Sequence, residues 1–330
     1  MIPADPPSAD TPAFLGVDSS ITGRVWRGPS VEDARQAEAM EQETGLPPAL
    51  SAVMARRGVA PAEAASFLAP ALRDLLPDPL TLRDMGTATD RFLQAVKQRQ
   101  RIAIFADYDV DGGASAALLI CWLREMGAAA TLYIPDRIDE GYGPNEAAMA
   151  DLAAKHDLIV CVDCGTLSHE PIAAAKAADV IVLDHHLGGE VLPDCVAVVN
   201  PNRQDETGDL GHLCAAGVVF LMLVEANRRL RGDGVTGPDL MAMLDLVALA
   251  TVADVAPLTG VNRALVRQGL VVMARRQRPG LVALCDVAKM DTAPKPYHLG
   301  FLLGPRVNAG GRIGAADLGA RLLSTADDHE

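Results

Sequence analysis

Apolar runs recur through the middle of the chain, and three of them lead into acids. Ile102-Ala-Ile-Phe105 runs into Asp107-Tyr-Asp109-Val-Asp111-Gly112. Leu158-Ile-Val-Cys-Val162 ends in Asp163, and Val180-Ile-Val-Leu183 ends in Asp184-His185-His186. Apolar runs this short, bounded by turn signals, read as strands buried on both faces, as in a parallel sheet. The pattern predicts strands over 101–106, 129–134, 158–163, 180–184 and 196–199. Helices are predicted over 114–126, 145–155 and 169–177, between the strands. Such alternation implies right-handed βαβ crossovers and an α/β fold, with a five-stranded, mainly parallel sheet flanked by helices.

On either side the rhythm changes. The segment up to about residue 85 reads as helical and irregular, with prolines at 47, 48, 61, 70, 77 and 79 and a helix start at Pro61. Beyond the sheet, 214–231, 239–252 and 261–275 read as consecutive helices. Residues 290–314 are rich in Gly and Pro. The organisation expected is a disordered tail over 1–20, a helical N-terminal cap over 21–87, an α/β domain over 88–258 and a helical linker over 259–330. The chain stops in what looks like a connection into another element.

Composition narrows the setting. The 330 residues are 49% hydrophobic, enough for a packed core, yet no apolar run approaches the roughly 20 residues that span a bilayer. The first residues lack a basic region followed by an apolar one, so no secretory signal is read and the cytoplasm is expected. A net charge of -14 argues against coating nucleic acid by bulk electrostatics. Aromatic content of 4% is low for a surface that stacks bases. Cys161 and Cys164 form a C-x-x-C. With Cys161 in a strand, however, their alpha carbons would lie about 10 Å apart, whereas a disulfide needs less than about 7 Å. Buried thiols are the better reading.

The chemistry lies at the strand ends. Ligands of open parallel sheets sit outside the carboxyl ends of the strands, so these acids and imidazoles converge on one crevice. So many carboxylates together repel unless cations lie between them, which points to a site for two divalent metals. Asp107, Asp109 and Asp111 also match half of a calcium loop, but its twelfth position is Leu118 and a strand precedes it. Asp163 reads as a helix cap or a ligand, and so does Asp254, set among Val252, Ala253, Val255 and Ala256. Gly304-Pro-Arg306-Val-Asn308-Ala-Gly-Gly-Arg312 reads as a phosphate-holding segment or a plain linker. Walker A and dinucleotide glycine signatures are missing. Carboxylates with imidazole suit Mg²⁺ or Mn²⁺, and the residues support a metal-dependent phosphoesterase.

Taken in order, Asp107–Gly112, Asp163-Cys-Gly165, Asp184-His-His186 and Asp254 resemble the four motifs of the DHH phosphoesterase superfamily. Val-Val-Asn-Pro-Asn and Gly-Pro-Arg-Val-Asn-Ala-Gly-Gly-Arg add a resemblance to its single-strand-specific 5′→3′ exonucleases, from about residue 20 onward. The resemblance implies a two-metal centre of Asp107, Asp109, Asp111, Asp163, His185 and Asp254, with Asp163 bridging and the cations Mn²⁺ or Mg²⁺. It implies that Asp163, His185 and His186 are catalytic, His186 contacting the scissile phosphate. It further implies that Arg306, Asn308 and Arg312 hold the DNA backbone or its terminal phosphate. Phe105 and Ala106 depart from the family's frequent His-Gly, which removes one ligand position. The linker would lead to a DHH-associated domain that is not visible here.

The expected function is a single-stranded-DNA 5′→3′ exonuclease releasing 5′-mononucleotides in repair and recombination. Its expected partners are single-stranded DNA and, by resemblance, a single-strand-binding protein and a helicase. A monomer is favoured, with no membrane association. Two alternatives stay open: a phosphodiesterase for short oligonucleotides or a nucleotide second messenger, and a non-catalytic scaffold on the same fold.

Overall fold

The computed structural model describes residues 13–136 and 140–329, with the side chains of 311–313 excepted. The tail expected over 1–20 lies, through residue 12, outside the described residues. The chain divides into two compact units, Met1–Ala69 and Pro70–Glu330.

In the first unit, helix α1 (Val31–Thr44) begins at a capping box in which Ser30 and Asp33 satisfy each other's backbone N–H groups. Helix α2 (Pro48–Arg56) follows, with proline in its first turn. Met40, Met54, Val59 and Ala64 form the unit's small core.

In the second unit two short helical turns, Leu72–Leu75 and Pro79–Thr81, precede α3 (Met85–Lys97), and the sheet follows. Its elements are β1 (Ile102–Ala106), α4 (Val110–Glu125), β2 (Ala130–Tyr133), α5 (Glu146–Lys155), β3 (Leu158–Val162), α6 (His169–Ala174), β4 (Asp179–Leu183) and β5 (Ala197–Val199). All pairings are parallel, in the order β2-β1-β3-β4-β5. Ile102, Ile104 and Ala106 enter one core while Ala103 and Phe105 enter the other. Both faces of β1 are therefore apolar, which is why the strand reads as an unbroken run. The order reverses between β1 and β3, so a crevice opens beyond their carboxyl ends.

Helices α7 (Ala215–Gly232), α8 (Leu244–Ala253) and α9 (Gly260–Met273) continue the first of these cores. Then come α10 (Pro279–Val287), α11 (Gly304–Ile313) and α12 (Leu318–Ser324). A helical turn, Pro296–His298, and a π-helical stretch, Leu299–Leu303, run directly into α11. Two expectations need correction. α4 begins at Val110 rather than 114, so the third acid of the aspartate motif is helical. The glycine- and proline-rich segment, open between a phosphate-holding stretch and a plain linker, is helical, with Pro305 at the junction where the π-helical stretch passes into α11.

Candidate metal centre

Asp109 caps α4. Its Oδ1 accepts from Asp111 N at 2.8 Å and Gly112 N at 3.0 Å, satisfying two of the orphan donors of the helix start. Gly112 is required by close approach: a Cβ there would lie 2.4 Å from Asp107 O. This packing folds the loop back so that Asp107 and Asp109 share one side. Asp111 accepts from Ala215 N at 2.7 Å and Ala216 N at 2.8 Å, so its carboxylate serves the positive end of α7 from a distant segment.

Asp163, 1% exposed, leaves β3 with φ of 60°, a left-handed conformation that Asp tolerates better than most residues. Gly165 follows at φ 113°, where a side chain would meet Val182 and Cys161. The turn presents the Asp163 carboxylate to His185, whose Nε2 lies 3.3 Å from Asp163 Oδ1, 3.6 Å from Asp111 Oδ2 and 3.9 Å from Asp254 Oδ2. Asp254 reaches this point from the end of α8, where Val255 takes a positive φ of 60°.

His186 is held differently. Its Nδ1 lies 2.8 Å from Asp184 Oδ1, and an ionised carboxylate only accepts, so Nδ1 carries the proton. Nε2 then points outward, 3.3 Å from the Tyr142 hydroxyl. Asp184 also accepts from the backbone N–H groups of Thr166, His185 and His186. Burial alone would raise its pKa; the bonds from His186 and Thr166 outweigh burial and hold the carboxyl well below the usual range. The Asp184 hydrogen bond correspondingly raises His186. Asn200 donates to His186 O at 2.8 Å and Asn202 to His185 O at 2.6 Å, fixing the backbone of both histidines.

The acids are crowded without counter-charge. Asp111 is pushed up to about 8, by burial first and then by Asp254 and Asp109. Asp163 is raised by burial and by Asp111 and Asp109, and Asp254 by burial and Asp109. His185 is lowered, chiefly by burial. Asp163 Oδ1 is buried and has no hydrogen-bond partner. Three groups have ligand atoms mutually within 4.8 Å: Asp107, Asp109 and Asp163; Asp111, His185 and Asp254; Asp163, His185 and His186. The donors are carboxylate oxygen and imidazole nitrogen, so the residues fit hard divalent cations of the Mg²⁺ and Mn²⁺ class.

All six acids and imidazoles expected as ligands thus meet in one crevice. The Gly-Pro-Arg segment reaches it through Asn308, whose Oδ1 accepts from Val110 N at 3.0 Å. Arg306 is exposed, and its Nη1 donates back to Leu302 O at 2.7 Å. Arg312 lies in α11, its side chain outside the described residues. Sequence reasoning assigned no role to Asp184, Asn200, Asn202 or Tyr142. The Asp-His-His and Asn-Pro-Asn strings held the signal for the first three, as polar residues at the ends of buried strands.

Residues 101–251 match the DHH family, N-terminal domain. The single-stranded-DNA-specific exonuclease RecJ of Dickeya dadantii (strain 3937) is 41% identical over 301 residues, 86% of this chain and 52% of the relative. This chain is a RecJ homologue of the DHH family. RecJ of Escherichia coli (strain K12) is 37% identical over 290 residues, 84% of this chain and 50% of the relative. The chain therefore spans about half the length of the curated relatives it matches. The crystal structure of RecJ from Thermus thermophilus in complex with Mn²⁺ matches with a TM-score of 0.75 at 31% identity, covering 91% of this chain and 42% of that one. A RecJ structure from the same organism holds Mg²⁺, with a TM-score of 0.64 at 29% identity, over 91% of this chain and 39% of that one.

Proposed function

We propose that this chain hydrolyses phosphodiesters of single-stranded DNA from the 5′ end, using two divalent cations held in the crevice. The observation that carries the reading is the buried Asp163 Oδ1, which accepts no hydrogen bond and belongs to a residue shared between two of the three ligand groups. Asp107, Asp109 and Asp163 would hold one ion and Asp111, His185 and Asp254 the other, with Asp163 between them. When bound, such ions supply Lewis acidity toward the phosphoryl oxygens and the attacking water.

The protein's own groups do the rest. Asp184 locks the His186 tautomer and ring, aiming Nε2 at the open side of the crevice. The Asp184 hydrogen bond raises the His186 pKa, which favours the doubly protonated ring that would offer Nε2–H to a phosphate oxygen. Asp111 ties α4 to α7, so the ligand set rests on the core rather than on a free loop. Arg306 and Arg312 belong to α11, which touches the aspartate loop through Asn308, and on the family resemblance they would hold the strand's phosphates. On the family resemblance, the proposal extends to a single-strand-binding protein and a helicase as partners, and to a monomer in the cytoplasm.

The test is Mn²⁺-dependent digestion of a 5′-labelled single strand beside its duplex, with a dinucleotide as a further substrate. Mononucleotides released from the single strand alone, and lost in Asp163→Ala, are the expected result. Equal activity in Asp163→Ala would overturn the two-ion assignment. Turnover of the dinucleotide alone would move the substrate to short oligonucleotides.

A further inference from the structure

The chain carries 43 acidic residues, yet 292–316 contain no Asp or Glu and do contain Lys295, His298, Arg306 and Arg312. In an acidic protein this is the stretch most compatible with a polyanion. It is also the helical run that brackets the metal centre. A Cβ added at Gly300 would lie 3.3 Å from Val252, and one at Gly304 3.0 Å from Ala253, at the end of α8 just before Asp254. At its other end Asn308 bonds to Val110 N, next to Asp109.

Leu299, Leu303 and Val307 face inward and are buried. The opposite face carries Tyr297, 66% exposed, and Phe301, 73% exposed. Their rings stack on each other, centroids 5.2 Å apart and planes 24° from parallel, and His298 meets the Tyr297 ring edge-on. Rings in water one turn apart on an otherwise well-packed helix contribute nothing to the core. The chain has only 12 aromatic residues (Phe 6, Trp 2, Tyr 4), and two of them are stacked on this one exposed face.

We propose that Tyr297 and Phe301 form a stacking platform for the bases of a single strand whose phosphate lies in the acid crevice; this rests on the exonuclease reading above. Every base has a π-face, so such a platform grips a strand without reading its sequence. The charge of the same segment fits the occupant: Lys295, His298 and Arg306 flank the rings and meet phosphates, with no carboxylate in the segment to repel them. The low aromatic content of the chain thus conceals a local concentration beside the centre.

The experiment measures binding, not turnover. Wild-type chain with Mn²⁺ is titrated against a fluorescent phosphorothioate oligothymidylate and against an abasic strand of equal length. Tyr297→Ala/Phe301→Ala and Tyr297→Phe/Phe301→Tyr are run in parallel, with thermal melting to confirm that each variant folds. The wild type is expected to prefer the strand with bases, by roughly tenfold per ring engaged. The alanine pair should lose that preference and bind both strands as the wild type binds the abasic one, while the aromatic exchange keeps it. An alanine pair that retains the preference overturns the proposal and assigns the rings to a protein surface, leaving the exonuclease reading intact. A wild type that binds neither strand removes the exonuclease reading, and the platform with it.

Discussion

Asp245 and Asp163 are both almost wholly buried, at 3% and 1% exposed, but only one is neutralised. Asp245 receives two bonds from the Arg278 guanidinium, at 2.8 and 3.0 Å. Glu225 is likewise met by Arg228 and Arg229, and the buried Arg203 by Asp84 and Asp205. Among the described residues no Lys or Arg comes within ion-pair distance of Asp111 or Asp163, whose cationic neighbours are imidazoles. Burying a charge costs several kcal/mol unless it is paired, and the fold follows that rule elsewhere. A fold that pairs its buried charges elsewhere and gathers acids without Lys or Arg partners in the crevice is built to complete itself with cations.

The largest contrast should appear in activity. Asp163→Asn is expected to lower hydrolysis by about 10³-fold or more, roughly 4 kcal/mol of transition-state stabilisation. The same change should raise the melting temperature of EDTA-treated protein near neutral pH, because it removes the cost of holding a buried carboxyl protonated. At Asp245 the sign reverses: Asp245→Ala strands the Arg278 guanidinium and should cost roughly 3–5 kcal/mol in denaturant melts. Equal destabilisation by the two substitutions would erase the distinction between paired and unpaired acids.

Gly112→Ala should sit between these extremes. Its Cβ meets the backbone of Asp107, which cannot give way as a side chain can. A loss of roughly 1–3 kcal/mol, with weakened Mn²⁺ binding, is expected from over-packing. Stability in EDTA should also depend on pH. The folded-state pKa of Asp111 rises from 3.8 to about 8 and that of Asp163 rises as well, so the folded state binds more protons than the unfolded. Their contribution is full below 3.8 and is lost as pH climbs toward about 8. His185, lowered from 6.5, acts in the opposite sense but only below that value. Melting the metal-free chain across this range should show the decline, and saturating Mn²⁺ should flatten it. The smallest effect is local: Val255→Asn should stabilise by about 1 kcal/mol, since a β-branched residue at positive φ is strained and Asn is not.

The same two regions explain what could be read beforehand. Strands buried on both faces leave unbroken apolar runs, so β1, β3 and β4 were legible to within a residue, and the acids after them marked the crevice. Asp109 was harder. Asp and Gly disfavour helix interiors, which pushed the expected start of α4 to 114, yet at a helix start they cap and relieve crowding. The segment from 304 to 313 reads as a linker by composition. Its helix depends on glycine at 304, which lets it approach Ala253, a tertiary cause that no local propensity contains. Asn200 and Asn202 escaped for a related reason: their bonds join strand ends that are apart in sequence.

The most direct test of the central claim is calorimetric titration of EDTA-treated chain with Mn²⁺, beside Asp163→Asn. The account predicts saturable binding of two ions, with heat that varies with the buffer because Asp111 and Asp163 release protons on binding. The variant should bind at least about tenfold more weakly. Absence of saturable binding, or a variant that binds as the wild type does, would contradict it.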